Sequence, residues 1–286
     1  MLLKSQAQRR RADNMAVLEN LYLARYEGFM KKIAVLYHSG VGNTKKVSEK
    51  ISVQLGKHYE TEIYSVEKLP EDFDLDNYIG LVIGFPVIHT HPSTRILKFI
   101  DSINALPKPK AAYIFATCGW YSANTLRIFS KRCVAKNIIP IMNRVYNGCP
   151  ATDGTLLAPF IKRLFRFPKN LDNIIADDIS TFSEKMKNGV ITLNEPTFKL
   201  YSILNYPNKL AGHFITFRIY LHKHKCSKCN NCINNCPSGA FEKSADSYPI
   251  FHFIKCEKCY RCIHHCPNLA LSLSKRKTPR KVLGNK

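Results

Sequence analysis

From residue 31 onward, short apolar runs alternate with longer stretches whose apolar positions recur every three or four residues. Ile33-Ala34-Val35-Leu36-Tyr37 reads as a short buried strand. Asn43 to His58 reads as a helix with Val47, Ile51 and Leu55 on one face. Glu62 to Val66 is a second strand, and Tyr78 to Phe85 a third with Leu81-Val82-Ile83 at its centre. A helix over Ser93 to Asn104 turns Ile96, Ile100 and Ile103 inward, and Ala111 to Thr117 is the fourth strand. Ala123 to Lys136 is a helix facing inward with Leu126, Phe129 and Cys133, followed by a fifth strand over Ile138 to Val145. Leu171, Ile175, Ile179, Phe182 and Met186 mark one face of a long helix from Leu171 to Asn188, with Gly189 as its stop signal. Five strands alternating with helices predict an α/β domain over 31–190, built on a parallel, doubly wound sheet.

The flanks read differently. Residues 1–30 form a basic extension, with Arg9, Arg10 and Arg11, and can form a helix with Val17 and Leu21 on one face. It either packs outside the first domain or precedes a true start at Met15 or Met30. Residues 191–222 form a connector. Pro196 and Pro207 punctuate an aromatic, apolar stretch with Tyr201, Ile203, Leu204 and Tyr206, too apolar for a flexible linker, so short helices between two domains are expected. A second, small α+β domain is expected over 223–274, and a basic tail over 275–286.

Composition narrows the class. A chain of 286 residues with 45% apolar content suits about two globular domains. Its most apolar late stretch, Phe214 to Leu221, is short and holds Arg218, so no membrane span is expected. Glu19 and Asn20 break the apolar stretch behind the N-terminal arginines, which argues against a signal peptide. Eleven cysteines without an export signal point to a reducing cytoplasm. The formal net charge of +22 favours an acidic partner, or serves solubility alone. Lys275, Arg276, Lys277, Arg280, Lys281 and Lys286 have no acidic neighbours and read as a solvated end, with a docking tail as the alternative. No aromatic residues interleave them, so nucleic-acid stacking is not expected.

Eight of the cysteines fall in two runs of one spacing. Cys226-x2-Cys229-x2-Cys232-x3-Cys236-Pro237 is repeated as Cys256-x2-Cys259-x2-Cys262-x3-Cys266-Pro267. Three thiolates two residues apart can wrap a tight loop around three corners of a cubic cluster. Zinc sites, closed by two pairs of ligands, do not need the third cysteine or the final Cys-Pro. The runs resemble the bacterial two-cluster ferredoxin signature. That resemblance implies that Cys226, Cys229, Cys232 and Cys266 hold one 4Fe-4S cluster, and Cys256, Cys259, Cys262 and Cys236 the other, because each run's fourth cysteine serves the opposite cluster. Two such clusters would lower the net charge by about 4, to near about +18. His222, His224, His264 and His265 read as surface or supporting residues. Cys118, Cys133 and Cys149 share no spacing.

The first strand runs into Ser39-Gly40-Val41-Gly42-Asn43-Thr44, which opens the first helix. Small residues at a helix N-terminus form an anion site. The loop lacks the Gly-Lys-Ser/Thr of nucleotide hydrolases and the downstream glycine of dinucleotide folds. It resembles the phosphate loop of flavodoxins, with Val41 where that family usually has threonine. The resemblance implies a flavodoxin-like fold and an FMN phosphate cradled by Ser39, Gly40, Gly42, Asn43 and Thr44. The same resemblance points to Phe85-Pro86-Val87-Ile88-His89-Thr90 and Thr117-Cys118-Gly119-Trp120-Tyr121 as loops around the flavin ring. Trp120 and Tyr121 are the stacking candidates, with Phe85 and His89 behind them; Cys118 reads as a small core residue.

The order of parts is similar to fused flavodoxin-like and two-cluster ferredoxin proteins, sometimes named ferrodoxins. The resemblance implies an electron-transfer protein linking FMN to two 4Fe-4S clusters, with a redox partner protein that charge makes acidic. The alternatives are an FMN-dependent reductase of a small molecule fed by the clusters, a ferredoxin whose first domain binds no flavin, and a basic nucleic-acid-binding protein with structural clusters.

Overall fold

The computed structural model describes residues 31–150, 165–200, 202 and 218–279. The expectations for residues 1–30, for Tyr201, Ile203, Leu204, Tyr206 and Pro207, and for Arg280, Lys281 and Lys286 lie outside the described residues.

The first domain is a flavodoxin-like doubly wound sheet. Its strands are β1 (Lys32–Tyr37), β2 (Glu60–Ser65), β3 (Gly80–Ile88), β5 (Lys110–Cys118) and β6 (Ile138–Asn147), ordered β2-β1-β3-β5-β6 and all parallel. A two-residue β4 (His91–Pro92), which the apolar pattern did not signal, folds back antiparallel on the end of β3. Apolar residues of β1, β3, β5 and β6 load both faces. One face carries Leu81, Ile83 and Ile114 under α2 (Thr94–Ser102) and α3 (Thr125–Val134), through Ile96, Ile100, Leu126 and Phe129. The other carries Val35, Val82 and Tyr113 under α1 (Asn43–Leu55) and α4 (Leu171–Lys187), through Val47, Ile51, Ile175 and Phe182. Each such Leu, Ile or Phe contributes about 1.5–3 kcal/mol by burial. A Cβ at Gly84 would stand 2.1 Å from Phe115 Cζ, so glycine is needed where β3 meets β5.

Within the connector, residues 191–199 carry no helix and follow the first domain, and Leu200 and Ser202 take 3-10 conformation. Asn194 N donates to Pro140 O (2.8 Å), Lys199 N to Asn124 Oδ1 (2.8 Å), and Arg127 pairs with Glu195 at 2.7 Å. The second domain begins before residue 223, because β7 (Tyr220–Leu221) pairs antiparallel with β10 (Leu271–Ser272). The hairpin of β8 (Phe241–Lys243) and β9 (Pro249–Phe251) completes a small unit around Ile219, Phe241, Tyr260, Ile263 and Leu271.

Candidate functional site

Strand order reverses at the C-terminal ends of β1 and β3, where the flanking loops splay apart and leave a crevice. A cavity of about 220 Å³ lies there. Its first wall is the 39–44 loop. Gly42 takes a left-handed φ of 103°, which favours glycine, and its N–H donates to Ser39 Oγ at 3.1 Å. No side chain caps the following helix, no acidic residue stands in its first turn, and the N–H groups of Asn43, Thr44 and Lys45 have no partner within the helix. Thr44 Oγ1 lies 2.8 Å from Thr117 Oγ1, and Asn43 Nδ2 donates to Pro150 O at 3.1 Å, tying the loop to the neighbouring strand ends. Converging N–H groups with no acidic residue in the first turn suit a phosphate.

Ser39, Gly40, Asn43, Thr44, Pro86, His89, Cys118, Gly119 and Trp120 all line this cavity. Gly42 shapes the turn but does not line it. Phe85 is corrected: it is fully buried in the core, with its ring 4.6 Å from that of Phe129. It shares the period-two face of Leu81 and Ile83, which points away from the cavity. Tyr121 is also outside the lining. Trp120 is 84% exposed, with its ring 6.5 Å from that of Phe165, so it stands at the rim. The buried Cys118 thiol donates to Asn147 Oδ1 at 2.9 Å. Burial pushes it up to about 11, leaving a neutral lining group rather than a nucleophile. His89 and Thr90 both take left-handed φ values, 46° and 62°, at the turn into β4.

The two cysteine runs fold alike. Each enters through one 3-10 turn, Lys223–Lys225 or Phe253–Lys255, and leaves through a four-residue helix, Asn231–Asn234 or Arg261–His264. Lys228 and Asn230 take left-handed φ, and so do Lys258 and Tyr260, thirty residues on. Backbone N–H groups reach sulfur at matching places: Lys228 to Cys226 (3.4 Å) and Lys258 to Cys256 (3.3 Å), Ala240 to Cys236 and Ala270 to Cys266 (both 3.2 Å). Cys232 feels the fields of Cys266, Cys226 and Cys229; Cys259 feels those of Cys256 and Cys236. Burial pushes both thiols up to about 11, a cost that cationic iron offsets for bound thiolates. Among the described residues, no three His, Cys, Asp or Glu side chains converge as for a single metal ion. Of the nearby histidines, His264 is buried, correcting its reading as a surface residue if not as a supporting one, and His222 Nε2 lies 2.9 Å from Ser272 Oγ.

The second run supplies the remaining wall of the cavity, through Lys258, Cys259 and Tyr260. A Cβ at Gly40 would stand 3.2 Å from Cys259 O, so the two backbones nearly touch. Arg261 clamps the contact. Its Nη2 donates to Ser39 O (2.6 Å) and Glu67 Oε1 (2.8 Å), its Nη1 to Glu67 Oε2 (2.7 Å), and its Nε to Gly40 O (3.0 Å). Glu67 Oε1 also lies 3.0 Å from His38 Nε2, whose Nδ1 is 2.7 Å from Ser93 Oγ. Burial alone would raise the Glu67 carboxyl; hydrogen bonds and charge from His38 and Arg261 outweigh it and bring it down to about 2. Glu257 adds a second contact, with Lys98 at 3.2 Å and Arg95 at 3.3 Å. Cys149, Pro150, Phe165, Glu67, Glu257 and Arg261 escaped the sequence reading. Comparing the runs at an offset of thirty places the last two among five positions that differ, with Ser227 and Asn231 at the equivalent places.

A flavodoxin domain family model matches residues 34–150, and a 4Fe-4S dicluster domain model matches residues 225–271. No curated protein matches the chain. Among solved structures, a flavodoxin from the domain Archaea is 17% identical, with 55% of this chain and 99% of that one covered and a TM-score of 0.40. Oxidised flavodoxin 1 of Bacillus cereus is 14% identical, covering 54% and 98%, with a TM-score of 0.42. The Fusobacterium nucleatum flavodoxin bound to flavin mononucleotide is 14% identical, covering 55% and 99%, with a TM-score of 0.39.

Proposed function

Because this chain is a fusion of a flavodoxin domain with a 4Fe-4S dicluster domain, a pairing of redox modules, we propose that it passes electrons between FMN in the cavity at the sheet end and two 4Fe-4S clusters in the cysteine runs. FMN exchanges electrons in ones or twos and each cluster one at a time, so the pairing interconverts two-electron and one-electron chemistry. Cys226, Cys229, Cys232 and Cys266 hold one cluster; Cys256, Cys259, Cys262 and Cys236 hold the other. The first-turn N–H groups of Asn43, Thr44 and Lys45 hold the FMN phosphate, and Ser39 holds Gly42 in place. Cys118 stays protonated beside the ring site. The partner is a redox protein, and no described helix is long and apolar enough to cross a membrane.

One observation carries this reading. The cavity that suits FMN is walled by Cys259 and its neighbours, so the flavin site and a cluster ligand share one surface without domain motion. The test is iron, sulfide and FMN content after anaerobic purification and reconstitution. The expected result is about eight iron atoms and one FMN per chain, with flavin photoreduction followed by cluster reduction at a rate independent of protein concentration. Eight iron atoms without flavin would sink the reading. Thr44→Ala, which frees the loop from Thr117, should weaken FMN binding about fivefold, equivalent to about 1 kcal/mol; an unchanged affinity would show that the Thr44 hydroxyl is not needed to present these N–H groups.

A further inference from the structure

The two cluster-binding runs meet different surroundings. The second is covered by the 39–44 loop and clamped by Arg261. In the first, Cys229 is exposed, alone among the eight run cysteines. Lys223, Lys225 and Lys228 surround it, all exposed. Lys225 Nζ donates to Thr278 Oγ1 at 2.7 Å, which brings the exposed Lys275, Arg276 and Lys277 against the same run. No acidic residue occurs in 218–241 or in 271–286. Tyr248 lies under Lys223 and Lys228, 5.0 and 4.4 Å from its ring centre, and gives the face an aromatic floor.

We infer that this basic face around Cys229 is the docking site of an acidic iron–sulfur electron carrier, and that electrons enter or leave the protein through the first run. The inference rests on the electron-transfer reading above. A cluster behind an exposed ligand can meet another protein directly. Redox encounters bury little surface and depend on charge for steering, so six exposed cations around an exposed cluster ligand fit an acidic carrier. Each encounter moves one electron: the reduced carrier loses one, the cluster of the first run gains one, and no bond or proton is exchanged.

The test uses the full-length protein loaded with iron, sulfide and FMN, and a reduced acidic two-cluster ferredoxin as probe. Stopped-flow mixing should give a bimolecular rate that falls about tenfold or more between about 20 mM and about 300 mM salt. Lys223→Glu/Lys225→Glu/Lys228→Glu should slow the reaction about tenfold and raise the calorimetric dissociation constant about tenfold. Lys131→Glu/Lys187→Glu, on the first domain, should change neither. A salt-independent rate, an unaffected triple variant or an equally slow control pair overturns the docking face. Loss of affinity for a duplex DNA oligonucleotide in the triple variant, with its ferredoxin rate intact, reassigns the face to nucleic acid and overturns it too. Iron, FMN and the internal flavin–cluster rate are measured on the same samples. Their failure sinks the electron-transfer reading itself; their persistence confines any failure to the docking face.

Discussion

Residues 226–236 and 256–266 share cysteine spacing, left-handed turn positions, sulfur hydrogen bonds and flanking strands, yet one run faces outward and the other is fixed to the first domain. The charged contacts come from two of the five positions at which the runs differ. Ser227 and Asn231 in the first run are replaced by Glu257 and Arg261 in the second. Glu257 meets Arg95 and Lys98; Arg261 meets Glu67 and the carbonyls of Ser39 and Gly40. A duplicated metal-binding fold thus acquires direction through side chains that take no part in holding metal. The scaffold makes both runs able to hold a cluster. The charge pairs form on the run that borders the cavity.

The largest effect comes from separating the two runs through their crossed ligands. Cys236 lies in the outward run but is assigned to the inward cluster, and Cys266 the reverse. Cys236→Ala should halve the iron, from about eight to about four, and abolish flavin-to-cluster transfer. Cys266→Ala should also halve the iron but leave that transfer in place. If Cys266→Ala abolishes it and Cys236→Ala does not, each run keeps its own fourth cysteine and the crossing is wrong.

What the sequence made legible follows the range of the interaction behind each feature. Val47, Ile51 and Leu55, or Leu171, Ile175, Ile179 and Phe182, announce a helix because its buried face recurs locally, and all seven are buried. The cysteine runs and the Ser39–Thr44 loop are equally local. Phe85 was misplaced although the signal was present: alternation along β3 puts it with Leu81 and Ile83 in the core. Arg261 and Glu67 are different, because they lie 194 residues apart and each is an ordinary charged residue in its own segment. Only folding makes them partners. The course of 191–199 is hidden for the same reason, since Asn194 and Lys199 bond to Pro140 and Asn124.

A smaller effect is expected from making the inward run resemble the outward one. Arg261→Asn removes the fork that joins Glu67 to the phosphate loop and leaves the carboxylate with His38 alone. Both side chains of the pair are mostly buried, at 15% and 14% exposure, so the loss should be about 3 kcal/mol in guanidinium denaturation. Iron content should stay near its original value, while flavin-to-cluster transfer slows. The reverse change, Asn231→Arg, should alter neither, because Asn231 is exposed. A variant Arg261→Asn with full stability and an unchanged transfer rate would show that packing of Gly40 on Cys259 suffices.

The smallest effect is the pH dependence of the same clamp. The Glu67 carboxyl lies at about 2 in the folded protein against an ordinary 4.5, with His38 and Arg261 facing it. A lowered folded value means that the stabilisation is fully present above the unfolded value and lost as pH falls from 4.5 toward 2. By linkage, about 1 kcal/mol should be gone by about pH 4. Denaturation midpoints at about pH 5.5 and about pH 4, with iron content checked at each, should therefore differ in the parent protein. In Glu67→Gln the difference should shrink by that amount, because no carboxyl remains to protonate and the neutral amide cannot hold the guanidinium as a charged pair. Should Glu67→Gln keep the full acid sensitivity, the carboxylates behind it lie elsewhere. Arg261 would then hold the inward run through the Ser39 and Gly40 carbonyls, which do not titrate.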